Sequence, residues 1–255
     1  MGDEAPTRDQ SETRTRRVGA HPPTLRIVLL GGFAVCEDDV EVRLPAASPR
    51  LVALTALHRG PISRPRLAEQ LWPHLGEHRA IASLRSTLSR LRGASPRLIA
   101  PGSTDVAIGE GVRVDVWERE ELAAQLLEKP GDDGCRDAID QLTTELLPGW
   151  HDDWVMFERD RLREISMHAI ESQAIALAGD RRFALAIAAV YEAIRLDPLR
   201  ESAVRILIEI HLAEGNRAQA AQCYLAFRDR LRAALRIDPS DEMRTLVLPL
   251  LPAYR

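Results

Sequence analysis

The second half of the chain repeats itself. Gly179-Asp180-Arg181, Ala184 and Tyr191 recur as Gly215-Asn216-Arg217, Ala220 and Phe227, each 36 positions later. Leu196-Asp197-Pro198 likewise returns as Ile237-Asp238-Pro239. A period in the mid-thirties, with small residues at helix contacts and proline after a helix, is the signal of tetratricopeptide-like (TPR-like) helical repeats. One such unit cannot bury its own apolar face, so neighbouring units must stack. The pattern predicts two helical hairpins with flanking helices. The surrounding sequence agrees, since nothing from Glu118 onward reads as a strand. Short helices are expected over 121–128 and 137–146, separated by Pro130-Gly131-Asp132-Asp133-Gly134, and a long one over 153–178.

The first half is built differently. Residues 1–23 are polar, mixed in charge and rich in helix breakers, the composition of a disordered tail. Leu25-Arg26-Ile27-Val28-Leu29-Leu30 reads as a strand, broken by Gly31-Gly32 and resumed at Phe33-Ala34-Val35. After a turn at Glu37-Asp38-Asp39, Val40-Glu41-Val42-Arg43-Leu44 alternates with period two. Ser48 and Pro49 form a helix start, with Ser48 as N-cap. Leu51, Leu54 and Leu57 mark the face of that helix. Ser63 and Pro65 open a second helix that closes at Trp72-Pro73, and a third runs over 77–91 to Gly93. Arg97-Leu98-Ile99 and Val112-Arg113-Val114-Asp115-Val116 then read as strands of a hairpin, with Val106-Ala107-Ile108 between them. The order is that of a winged helix-turn-helix. The expected fold is therefore mainly α with a small β component: a winged helix over 24–117, then a TPR-like all-α domain over 118–255.

Charge separates along the same line. Residues 43–113 hold eleven arginines against four acids, whereas residues 118–255 hold eighteen basic residues against twenty-five acids. A basic module joined to an acidic one suggests a polyanionic partner for the first and another task for the second. The third helix carries the clearest chemistry. Ile81, Leu84, Leu88 and Leu91 form one apolar stripe, and no acid follows Glu77. An α-helix fits the major groove of B-DNA, where arginine can pair with guanine O6 and N7. Arg90, Arg92, Ser83, Ser86 and Thr87 are the expected base-reading residues. Arg50, Arg64, Arg66, Arg79, Arg85, Ser89 and Arg113 are expected on the phosphate backbone.

Other chemistry finds little footing. His151-Asp152-Asp153 contains metal-ligand types, but adjacent residues diverge and no further ligand stands near, so a helix cap is the better reading. Gly109-Glu110-Gly111 lacks the strand–turn–helix setting of a phosphate loop. No nucleophile elbow, Walker loop or zinc-protease motif occurs, and no catalytic site or cofactor is expected. Trp150 and Trp154 read as core or domain-interface packing. Three scattered cysteines argue against a disulfide framework and for a reducing compartment. No apolar run approaches the ~20 residues of a membrane span, so a cytoplasmic, nucleoid-associated protein is expected.

Taken together, Leu71-Trp72-Pro73, Leu88-Ser89-Arg90-Leu91-Arg92, Leu147-Pro148-Gly149-Trp150 with Trp154-Val155 and Glu158-Arg159, Leu196-Asp197-Pro198-Leu199-Arg200-Glu201 and Gly215-Asn216-Arg217 form an ordered set. In it the chain resembles the Streptomyces antibiotic regulatory protein (SARP) family of activators. The resemblance implies an OmpR/PhoB-type winged helix followed by a bacterial transcriptional activator domain. It further implies binding to direct repeats in double-stranded promoter DNA, self-association of protomers on that DNA, and recruitment of RNA polymerase holoenzyme with its sigma factor. Control of a secondary-metabolite (antibiotic) gene cluster is the family's usual role. The start Glu77-His78 departs from the small polar cap of the family's reading helix. A scaffold whose winged helix docks protein instead of DNA is the competing reading.

Overall fold

The computed structural model describes residues 24–131 and 135–250. The tail expected over 1–23 and part of the loop at 130–134 lie outside the described residues. Strands β1 (Leu25–Val28) and β2 (Ala34–Glu37) pair antiparallel, with Leu25 opposite Glu37 and Val28 opposite Ala34. Leu25 and Ile27 point into the core while Arg26 and Val28 lie half-exposed, the alternation a one-sided sheet requires. Asp38 and Asp39, both at positive φ, turn the chain into β3 (Val40–Glu41). That conformation suits a two-residue hairpin and is tolerated by aspartate.

Helix α1 (Ser48–His58) has residues 51–57 all buried, so it is central and not amphipathic. Ser48 does not cap it. Ala47 holds the N-cap position at φ 66°, and Ser48 is a buried first-turn residue. Strand β4 (Ile62–Ser63) leads into α2 (Arg64–Leu71) and α3 (Glu77–Ala94). The wing is β5 (Ile99–Pro101) and β6 (Asp105–Ile108), antiparallel, with β4 on the far side of β6.

The hairpin differs from the sequence expectation. Its tip lies at Gly102-Ser103-Thr104, and the later strand, β7 (Arg113–Val114), leaves the wing to pair parallel with β1. Asp115 and Val116 are already helical, because the Asp115 carboxylate turns back to cap the end of β1 instead of continuing the strand.

Among the described residues seven α-helices follow: α4 (Asp115–Glu128), α5 (Cys135–Thr143), α6 (Asp153–Gly179), α7 (Phe183–Leu196), α8 (Glu201–Glu214), α9 (Arg217–Leu235) and α10 (Asp241–Val247). The pairs α6–α7 and α8–α9 are the repeating hairpins. Their contacts use small residues, with Ala186, Ala189, Ala193 and Ala203 fully buried. Gly215 ends α8 in the left-handed conformation at φ 88°, where glycine has no Cβ penalty. Its counterpart Gly179 does not, and Arg181 takes positive φ in the first copy. The core under the winged helix also contains Leu146, Leu147, Val155 and Leu162, so the two halves share one apolar interior.

Candidate nucleic-acid interface

Helix α3 buries Ala80, Leu84, Thr87, Leu88 and Leu91, and Ile81 is only half-buried. The buried stripe is thus centred nearer Thr87 than the apolar spacing alone indicates. Thr87 is 1% exposed, so it leaves the set of base-reading candidates. A side chain without solvent contact cannot reach a base edge.

On the opposite side, Ala82, Ser86 and Ser89 are exposed at i, i+4 and i+7 and form a strip of small residues. Arg85 and Arg92 flank one edge of the strip, and Arg79 and Arg90 the other, all four exposed. Ser83 is half-buried at the margin. Small centres let a helix backbone come close to a partner, while long arginines on both edges can reach beyond it. Ser89 therefore sits among the central positions instead of at the periphery. Ala82 carries no polar group, so polarity alone does not draw attention to it; its helical register with Ser86 and Ser89 does.

The electrostatics of the surface are uneven. Among the described residues no carboxylate pairs with Arg79, Arg85, Arg90 or Arg92; Arg90 Nε makes one long bond, 3.4 Å, to the Ser86 carbonyl. Four arginines elsewhere in the head are occupied. Arg26 and Arg113 both meet Glu118, at 3.2 and 2.7 Å, Arg59 meets Glu120 and Glu121 at 2.7 and 3.0 Å, and Arg50 bonds Asp152. Arg50 and Arg113 thus carry carboxylate partners from the following domain, and Arg113 belongs to the β1 sheet and not to the wing. Arg66 opens onto a groove of about 1220 Å³ between α1, α2 and the start of α6. Arg64 stands closest to the wing, its Nη2 donating to the Gly102 carbonyl at 2.9 Å and its backbone N–H to Thr104 at 3.0 Å. A smaller cleft of about 440 Å³ joins Arg64, Arg85, Ser103 and Thr104, so α2, α3 and the wing tip meet on one flank of the helix.

His151-Asp152-Asp153 opens α6, with Asp152 at the N-cap position. Among the described residues no group of three or more potential metal ligands converges, and no helix is long and apolar enough to cross a membrane. Trp150 stacks on Phe33 with centroids 5.8 Å apart and meets Trp154 edge-on at 6.2 Å, at the junction of the two halves.

The chain belongs to the bacterial transcriptional activator domain family, which residues 114–251 match, 138 of its 255 residues. That domain is the one the resemblance in its motifs implied for the second half of the chain. No curated protein matches it. Among solved structures it is similar to Mycobacterium tuberculosis EmbR, determined in complex with a low-affinity phosphopeptide. The TM-score is 0.69 and the identity 20%, over 90% of this chain and 65% of the EmbR chain. At that identity the likeness shows a shared fold, a winged helix leading into helical repeats, and this chain spans about 65% of the length of the protein it matches.

Proposed function

We propose that the chain is a sequence-specific DNA-binding activator that reads promoter DNA with the outward face of α3. The observation that supports this most is the set of four exposed arginines on the one helix α3 without carboxylate partners, whereas Arg26, Arg50, Arg59 and Arg113 at the junction are paired. Unpaired arginines around a strip of small residues suit a polyanion with a groove. Ser86, Ser89 and Ala82 would lie deepest, with Ser83 and Arg90 at the base edges. Arg79, Arg85 and Arg64 would meet the flanking phosphates, the last together with the wing tip; Arg92, expected at a base, shares the edge of the strip with Arg85 and would meet a phosphate instead.

Direct repeats as the target, side-by-side protomers, contact with polymerase through the acidic repeat domain, and control of a secondary-metabolite cluster extend this reading from the family resemblance. Selection of bound duplexes from a random pool by the intact chain tests it. A recurring motif in two same-direction copies is expected. A pool that never enriches, at low salt as well as high, would favour the protein-docking scaffold.

A further inference from the structure

The two halves of the molecule are joined through backbone. Leu147 donates to the Leu29 carbonyl at 2.8 Å and Gly31 to the Glu145 carbonyl at 2.7 Å, so residues 145–147 run against the end of β1, with Leu30 opposite Leu146. Two charged residues on α4 complete the junction. The Asp115 carboxylate accepts Leu29 N–H at 2.9 and 3.0 Å and Leu30 N–H at 2.9 Å. One turn on, Arg119 donates to Ser166 Oγ on α6 at 2.7 and 3.2 Å and to the Thr144 carbonyl at 2.7 Å. Each residue is 6% exposed.

Charges so buried are costly. Burial raises the Asp115 carboxyl above its usual range and holds the Arg119 guanidinium down to about 10. An apolar junction of the same volume would often be as stable or more so. What the charges add is direction, because aliphatic contacts permit sliding whereas these bonds fix angles and partners. Asp115 grips the head, Arg119 grips α6 and the exit of α5, and the two attract each other along one helix face.

We propose that Asp115 and Arg119 are positioning residues that lock the repeat domain to the reading head in a single orientation. Where α3 lies on DNA then dictates where the repeat domain points. That consequence rests on the DNA-reading proposal, but the lock itself does not.

The intact chain tests the lock. All four tryptophans, Trp72, Trp117, Trp150 and Trp154, lie in the head or along the junction, so their fluorescence follows that region. Far-UV circular dichroism follows mainly the helices of the repeat domain. Coincident thermal transitions by the two probes are expected for the natural chain, as for one cooperative unit. Arg119→Met and Asp115→Asn are each expected to split them into two. A lower midpoint with the probes still coincident would overturn the lock, since it reports lost stability alone. Should Arg119→Met fail to fold, Ser166→Ala removes only one acceptor and is expected to give a smaller split, with coincidence again overturning the proposal.

On a promoter that the chain binds, moving the operator by half a helical turn should abolish activation, and a full turn should restore it. Arg119→Met should keep operator affinity and lose this phasing, whereas retained phasing would overturn the lock. A chain that binds no DNA would sink the functional reading, and the spectroscopic result would still decide the lock.

Discussion

Arg90 rests against its own helix through a 3.4 Å bond to the Ser86 carbonyl, a contact weak enough to be exchanged for a base. Arg90→Ala is expected to cost about 1–3 kcal/mol of operator affinity and to relax preference at one position, measured by competition between operator variants. Thr87→Val is expected to leave that preference unchanged, because Thr87 lies in the core. Most of this face was legible in the sequence: Leu84, Leu88 and Leu91 point inward, and the arginines and Ser86 outward. Thr87 was not, because a hydroxyl on a basic helix suggests a contact group, whereas the buried stripe also takes in the small residue Ala80 on the same face. Asp115 carries a second prediction at this scale. Burial raises its pKa, outweighing backbone hydrogen bonds from Leu30, Leu29 and Val116 that lower it. The folded chain therefore takes up this proton at higher pH than the unfolded chain. Between the raised value and the ordinary 3.8 the folded state binds more protons, so this group's contribution to stability grows as pH falls through that window. Relative to Asp115→Asn, the natural chain should gain thermal stability on acidification through that window. A difference that does not move with pH would contradict the assignment.

The wing depends on a close backbone approach that only glycine permits. A Cβ at Gly109 would sit 1.9 Å from the Arg97 carbonyl oxygen, where β5 begins beside the end of β6. Gly109→Ala is expected to destabilise the chain by more than about 1 kcal/mol, read from denaturant midpoints. Because the wing tip is tied to Arg64, this variant should also weaken binding to all duplexes alike. The wing shows where sequence patterns stop informing. Alternating Val112-Arg113-Val114-Asp115-Val116 reads as a strand across its length. Arg113 and Val114 form one, and Asp115 begins a helix because its carboxylate finds two free backbone N–H groups at the end of β1. A partner 85 residues away leaves no local trace. The repeats were far more legible, since their contacts are between neighbours and their small residues recur at a fixed spacing.

At the scale of the whole molecule, a head rich in arginine is set on a repeat domain rich in acids, and the charges settle in two ways. Where the domains meet, Arg26, Arg50, Arg59 and Arg113 are matched by Glu118, Asp152, Glu120 and Glu121. Away from that junction, the α3 arginines have no carboxylate partner among the described residues. Exposed pairs of this kind add little stability individually, so their effect is to neutralise basic potential at the junction while α3 stays basic. The segregation of charge was plain in the sequence; which arginines the second domain would neutralise was not. The most direct measurement is the affinity of the intact chain for its selected duplex across a range of salt concentrations. Log affinity is expected to fall steeply and linearly with log salt, and replacing Arg85 and Arg92 together is expected to lower the slope by about 2, roughly one per lost phosphate contact. Binding that ignores salt, or a slope unchanged by the double replacement, would contradict DNA reading by α3.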